Sequence, residues 1–104
     1  MATIVFDFDK VLSEDIVQRF ARKMINGGND IWVCTARRNN DFNKQELAKS
    51  LKSAGITEHQ VIYCNGKAKW EILKGINADI YIDNIEDEFS DIKNRTNCIP
   101  LLYL

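Results

Sequence analysis

The segment Ile4-Val-Phe-Asp7-Phe-Asp9-Lys-Val-Leu12 decides the fold, because a short apolar run ends there in two carboxylates. Residues 3–6 are rich in β-branched and aromatic side chains on both faces, which is typical of a central strand in a covered parallel sheet. Asp7 and Asp9 follow at the carboxyl end of this strand. Ligands of such sheets bind beyond the carboxyl ends of the strands, so this end is the first candidate for a functional site.

Four further runs of the same kind predict strands over residues 31–34, 60–63, 79–82 and 98–102. Helix-like segments lie between the strands and begin near Ser13, Asn43, Lys67 and Glu86. Asn43-x-x-Glu46 resembles a capping box, and Gly55 ends the same helix. The alternation predicts a three-layer, Rossmann-like α/β fold, with a five-stranded parallel sheet and helices on both faces. Pro100 lacks an amide donor and therefore predicts an edge position for the fifth strand.

Length and composition predict one globular domain over residues 1–104. The chain has 45% hydrophobic and 28% charged residues, and its formal net charge of -1 gives no general attraction to nucleic acid or to an anionic membrane. No apolar stretch is long enough to span a membrane, and no leader-like segment precedes the first strand, so a cytoplasmic protein is expected. Cys34, Cys64 and Cys98 lie in or beside apolar runs and are expected to be reduced core thiols.

Polar residues follow several of the predicted strands and should meet at one edge of the sheet. Asp7 and Asp9 follow the first strand, Thr35 and Arg37 the second, and Asp83-Asn84 the fourth, while Lys69 lies near the start of the third helix. Carboxylates suit a metal ion, and a hydroxyl with an ammonium group suits a phosphate. The sequence therefore predicts a combined metal and phosphate site.

These residues also carry a resemblance to a known family. Segment 4–12 resembles the first motif of the haloacid dehalogenase (HAD) superfamily, four apolar residues followed by Asp-x-Asp-x-Thr/Val-Leu. Val33-Cys-Thr35 is similar to the second motif, the helix opened by Lys69 to the third, and Ile80-Tyr-Ile-Asp83-Asn84 to the fourth. The motifs occur in the order of the family over residues 4–84. The chain thus looks like a small HAD phosphatase, with no insertion large enough for a cap domain.

The resemblance implies a Mg²⁺-dependent phosphomonoester hydrolase that acts through an aspartyl phosphate. Asp7 would be the nucleophile, and Asp9 would be the general acid and base. Thr35 and Lys69 would bind the phosphoryl oxygens. The carboxylates of Asp7 and Asp83, with the Asp9 carbonyl, would hold the Mg²⁺ ion.

Two positions depart from the family pattern, because Lys10 replaces the usual Gly and Asn84 replaces a second Asp. Asp87, one helical turn further on, would supply the missing acidic group through a water. Arg37 would either reach the substrate or cap a loop. Lys67 is the alternative to Lys69 for the phosphate if the third helix begins in a different register.

The same residues are compatible with two other hypotheses. One is a catalytically silent HAD-like binding protein, and the other is a receiver-like phospho-binding module. The order of residues disfavours the receiver, since Thr35 follows the second strand and not the fourth. The expected partner is a phosphorylated substrate, either a nucleotide or a nucleic-acid end, because Lys10, Arg37 and Arg38 could meet a second phosphate. A homo-oligomer is the other way to cover a site without a cap.

Overall fold

The computed structural model describes residues 1–104 and contains one five-stranded sheet. Its strands are β1 (Thr3–Asp7), β2 (Asp30–Thr35), β3 (Val61–Tyr63), β4 (Ile80–Asp83) and β5 (Ile99–Leu102). All neighbours pair in parallel, in the order β3-β2-β1-β4-β5. The predicted three-layer α/β fold without a cap is confirmed.

Helices cover both faces of the sheet. They are α1 (Asp15–Asn26), α2 (Asp41–Ala54), α3 (Lys69–Gly75) and α4 (Phe89–Arg95), with short helical turns at Phe8–Leu12 and Glu58–Gln60. The first two helices pack on each other over one face of the sheet, and the last two pack on each other over the opposite face.

Strand β1 lies at the centre of the sheet because its side chains fill both cores. Ile4 and Phe6 belong to the core under α1 and α2, whereas Val5 belongs to the core under α3 and α4. All three are at most 4% exposed, as the apolar run in the sequence predicts. Pro100 lies in β5, which is an edge strand, so that prediction is also confirmed.

The helix starts differ from the prediction. Helix α1 begins at Asp15, and the Ser13 hydroxyl accepts a hydrogen bond from the Lys10 amide instead of capping that helix. The side-chain oxygen of Asn40 caps α2 by accepting a hydrogen bond from the backbone amide of Asn43 at 2.9 Å. The prediction that the capping residue is Asn43 was therefore wrong by three residues. Helix α2 ends at Gly55 as predicted, in the left-handed conformation that glycine favours (φ 80°).

The later helices are shorter than the sequence suggests. Helix α3 begins at Lys69, two residues after the expected start, and α4 begins at Phe89, three residues after the expected start. None of the helices is both long and apolar enough to cross a membrane. All three cysteines are buried and free, in agreement with the expectation of reduced core thiols.

Candidate functional site

The sheet order creates a crevice between β1 and β4. From β1 the chain proceeds outward to β2 and β3, and it then returns to the other side of β1 to form β4. Such a reversal of strand order leaves the loops on each side diverging at the carboxyl edge, which is where open α/β sheets bind their ligands. Asp7 ends β1 and Asp83 ends β4, so both carboxylates lie at this crevice.

Lys69 joins these two carboxylates. Its Nζ donates to Asp7 Oδ1 at 2.9 Å and to Asp83 Oδ2 at 3.2 Å, and it also donates to the Tyr81 hydroxyl. The Tyr81 hydroxyl in turn donates to Asp83 Oδ2 at 2.6 Å. All four residues are buried, so the crevice is built around a closed network of charged hydrogen bonds.

The start of α3 explains why Lys69 reaches this network. Lys69 is the first residue of the helix, and its backbone amide donates to a carboxylate oxygen of Glu88 at 3.0 Å. The Glu88 carboxylate therefore satisfies the first free amide of α3, as a capping side chain does. Lys67 lies outside the helix and is exposed. Of the two lysines considered from the sequence, Lys69 is the one that contacts the carboxylates.

Burial and charge act in opposite directions on this network. Burial raises the pKa of Asp7 above its ordinary value of 3.8, and the neighbouring Lys69 offsets only part of that effect. Burial alone would lower the pKa of Lys69, but the charge of Asp7 and its hydrogen bond outweigh this and raise it. Burial and the Asp83 carboxylate raise the pKa of Tyr81, so its phenol stays protonated. The crevice therefore holds one ammonium group against two carboxylates.

Asp9 is held away from this network by Arg37. The guanidinium binds both carboxylate oxygens of Asp9, with Nη2 at 2.7 Å from Oδ1 and Nε at 3.1 Å from Oδ2. The same guanidinium lies 5.2 Å from the centre of the Phe8 ring and donates to Asn43 at 3.2 Å. This contact with Asp9 is neither of the two roles considered for Arg37 from the sequence, which were to reach the substrate or to cap a loop.

Thr35 lies at the end of β2, but its hydroxyl is fully buried. Its Oγ1 accepts a hydrogen bond from the backbone amide of Arg37 at 3.1 Å. In this arrangement the hydroxyl stabilises the loop after β2. The phosphate-binding role of Thr35 stays a prediction.

Several acidic side chains surround the crevice. A cavity of about 310 Å³ is lined by Asp7, Asp9, Ala36, Lys69, Asp83, Ile85, Asp87 and Glu88. Five of these side chains are carboxylates and one is a lysine, so the cavity attracts cations when its acidic groups are ionised. Asp87 also lines this cavity, and the role expected for it, an acidic group that acts through a water, stays a prediction.

The residues present fit a Mg²⁺ ion held by few protein ligands. The chain contains no group of three His, Cys, Asp or Glu side chains close enough to form a protein cage. Mg²⁺, however, commonly uses one or two carboxylates and keeps several waters. Asp7 and Asp83 could supply these two, since Lys69 occupies one oxygen of each.

The two departures noted in the sequence lie at the ends of β1 and β4. Lys10 adopts a left-handed backbone (φ 61°), which explains why glycine suits that position. Asn84 Oδ1 is buried and has no hydrogen-bond partner in the chain. Buried acceptors generally have a hydrogen-bond partner, and the Asn84 oxygen is a buried side-chain atom that has none within the chain.

Tyr81 and Glu88 belong to the site but were not predicted from the sequence. Tyr81 precedes Asp83 by two residues on the same strand, and the twofold period of strands puts both side chains on one face. That signal could have identified Tyr81. Glu88 contacts Lys69 across 19 positions of the chain, and no local pattern indicates such a contact.

Comparisons with known proteins place this geometry among related folds. No protein-family model matches the chain. A comparison with curated proteins finds no match. Among solved structures, the chain is similar to the crystal structure of a universal stress protein in complex with cAMP, with 15% sequence identity and a TM-score of 0.59. The similarity covers 99% of this chain and 96% of that chain, and at this identity it shows the fold.

The family assignment made from the sequence is corrected by this result. A solved structure that is similar over 99% of the chain is a universal stress protein and not a HAD phosphatase, so the expected hydrolase activity and aspartyl-phosphate step are wrong. The contacts supply a physical reason. Arg37 binds both carboxylate oxygens of Asp9, the expected general acid and base, so in this arrangement that carboxylate is not placed to transfer a proton.

Proposed function

We propose that this chain is a binding domain for a nucleotide, with a Mg²⁺ ion between the protein and the phosphate of the ligand. The observation that carries the proposal is the acidic cavity at the crevice between β1 and β4. Its position is the usual ligand position in this type of sheet. The cAMP bound by the similar universal stress protein adds a second reason to choose a nucleotide.

Charge explains why a metal ion is part of the proposal. A phosphate is an anion, and the cavity wall carries five carboxylates against one lysine, so direct binding would be repulsive. A divalent cation bound to Asp7 and Asp83 would turn this repulsion of the phosphate into attraction. Mg²⁺ is typically bound by one or two carboxylates together with phosphate oxygens.

Each residue has a specific part in this proposal. Asp7 and Asp83 hold the ion, Lys69 holds both carboxylates in place, and the Arg37–Asp9 pair forms the wall towards β2. Asp87 lines the outer rim of the cavity and attracts the hydrated ion. The cytoplasmic location and the homo-oligomer expected from the sequence stay predictions.

Isothermal titration calorimetry tests the proposal with MgCl₂, with AMP and cAMP, and with each nucleotide in EDTA. We expect Mg²⁺ to bind alone and both nucleotides to bind only in its presence. Thermal unfolding should show the same order, because a ligand of the native state stabilises it by about 2.7 kcal/mol at roughly one hundred times its Kd.

Three variants make the test specific. Asp83→Asn should abolish the effect of Mg²⁺, and Asp87→Asn, an exposed change with little effect on folding, should weaken it several-fold. Asp91→Asn removes an exposed carboxylate of α4 that does not line the cavity and should leave binding unchanged. Nucleotide binding that is equally strong in EDTA would contradict the proposed role of the metal.

A further inference from the structure

A second and larger cavity lies beside the acidic one at the same edge of the sheet. It has a volume of about 670 Å³ and is formed by the loops that follow β2 and β3. Ala36 lines both cavities, and Arg37, which lines the larger one, binds Asp9, which lines the smaller one. The Arg37–Asp9 pair is therefore the partition between two adjoining spaces.

The larger cavity has the opposite charge. Its lining contains Arg37 and Arg38 and no acidic side chain. Arg37 is engaged by Asp9, but the Arg38 guanidinium makes no salt bridge within the chain and is exposed. One positive charge at this wall is thus available to an anion.

Aromatic and amide groups accompany this charge. Tyr63 ends β3 and is half-buried, and burial, with some help from the Glu58 carboxylate, raises the pKa of its phenol, so the ring stays neutral. Asn39 and Asn65 add side-chain amides that donate to and accept from base edges. A neutral aromatic ring beside a free guanidinium is the combination that binds single-stranded nucleic acid, where bases stack and phosphates pair with cations.

The far wall of the cavity is a fixed turn. Asn65 and Gly66 both have left-handed backbones, with φ of 50° and 81°. The turn is held by the Cys64 amide, which donates to the Thr35 carbonyl at 2.8 Å, and by the Lys67 amide, which donates to the Cys64 carbonyl at 2.9 Å. A cavity with an ordered wall is better suited to binding than one formed by loose side chains.

We infer that this cavity binds a second nucleotide unit, so that the ligand is the end of a single-stranded oligonucleotide. The terminal phosphate lies at the cation site, the base of the second nucleotide stacks on Tyr63, and the phosphodiester that joins the two nucleotides pairs with Arg38. This inference rests on the proposed nucleotide site, because the end of the strand must be anchored there. It explains why two cavities of opposite charge share one edge of the sheet.

Calorimetry with Mg²⁺ tests this by comparing thymidine monophosphate with the thymidine dinucleotide that carries a phosphate at its 5′ or its 3′ end. We expect one of the two dinucleotides to bind about ten to one hundred times more tightly than the mononucleotide, which corresponds to one stacked base. Tyr63→Leu should remove most of this gain. It should leave the affinity for Mg²⁺ and for the mononucleotide unchanged.

The salt dependence identifies the contribution of Arg38. Arg38→Ala should reduce the slope of log K against log salt for the dinucleotide by about 0.7, the value for one phosphate contact on a single strand. Arg19→Ala, an exposed arginine of α1, is the matched control and should not change it. If mononucleotide and dinucleotides bind equally well, the second subsite is excluded while the nucleotide site stands. If no nucleotide binds with Mg²⁺, both proposals fail.

Discussion

Lys69 is the residue on which the arrangement of the crevice depends. It is one of five buried polar or charged residues, and it contacts two of the others, Asp7 and Asp83. Two ionised carboxylates buried near each other are unfavourable unless a cation is shared between them. Tyr81 adds a neutral donor to Asp83, which satisfies a further lone pair. Lys69 and Tyr81 thus explain how the chain can bury two carboxylates next to each other.

Removal of Lys69 measures how strongly the two acids depend on it. Lys69→Met should lower the free energy of unfolding by about 3 kcal/mol at pH 7 in urea denaturation, because it leaves buried carboxylates without a cation. Asp7→Asn combined with Lys69→Met should recover part of this loss. Equal stability of the wild type and Lys69→Met would show that the network contributes nothing to folding.

The pKa of Asp7 predicts how the destabilisation caused by Lys69→Met changes with pH. The pKa of the folded state lies above 3.8, so the folded protein binds a proton there more readily than the unfolded chain does. The corresponding stabilisation is complete below the unfolded pKa and is lost as pH rises through the folded pKa. A protonated Asp7 no longer needs the cation of Lys69. We therefore expect the difference in the free energy of unfolding between wild type and Lys69→Met to shrink as the pH falls, beginning above pH 3.8. Urea denaturation at several pH values measures it.

At the scale of elements, the strands follow from the sequence better than the helix starts do. A strand of a covered parallel sheet is a run of apolar residues, and that composition is visible without knowledge of its neighbours. A helix start depends on which side chain satisfies the first amides, and several residues near each start could do so. Asn40 and Asn43 lie three residues apart, and only the path of the loop after β2 decides between them.

The cap of α2 provides a direct test of this difference. Asn40→Ala should lower the free energy of unfolding by about 1 kcal/mol, because it removes the acceptor for the Asn43 amide. Asn39→Ala is the adjacent control, since the Asn39 side chain makes no hydrogen bond within the chain and should change stability little. A larger loss for Asn39→Ala than for Asn40→Ala would mean that the helix begins at a different residue.

At the scale of the whole molecule, topology assembles the site. The order β3-β2-β1-β4-β5 brings residues 7, 69 and 83 together, and two predicted strand ends and one predicted helix start were sufficient to predict that meeting. The sequence could not predict the Arg37–Asp9 pair or the Glu88 contact, which depend on loop paths. It also could not give the family correctly, because polar residues at strand ends recur in many parallel sheets that bind ligands. The two cavities of opposite charge are likewise a property of the assembled edge.

The central claim, that a divalent ion on Asp7 and Asp83 carries the nucleotide, is tested most directly by NMR with Mn²⁺ in place of Mg²⁺. The amide signals of Asp7, Asp83 and Asp87 should broaden strongly at low Mn²⁺ concentrations, and so should the ³¹P signal of added AMP. Signals of Gly28 and Asn97, which precede β2 and β5 at the opposite edge, should stay sharp. Broadening centred away from Asp7 and Asp83, or an unaffected ³¹P signal, would contradict the account.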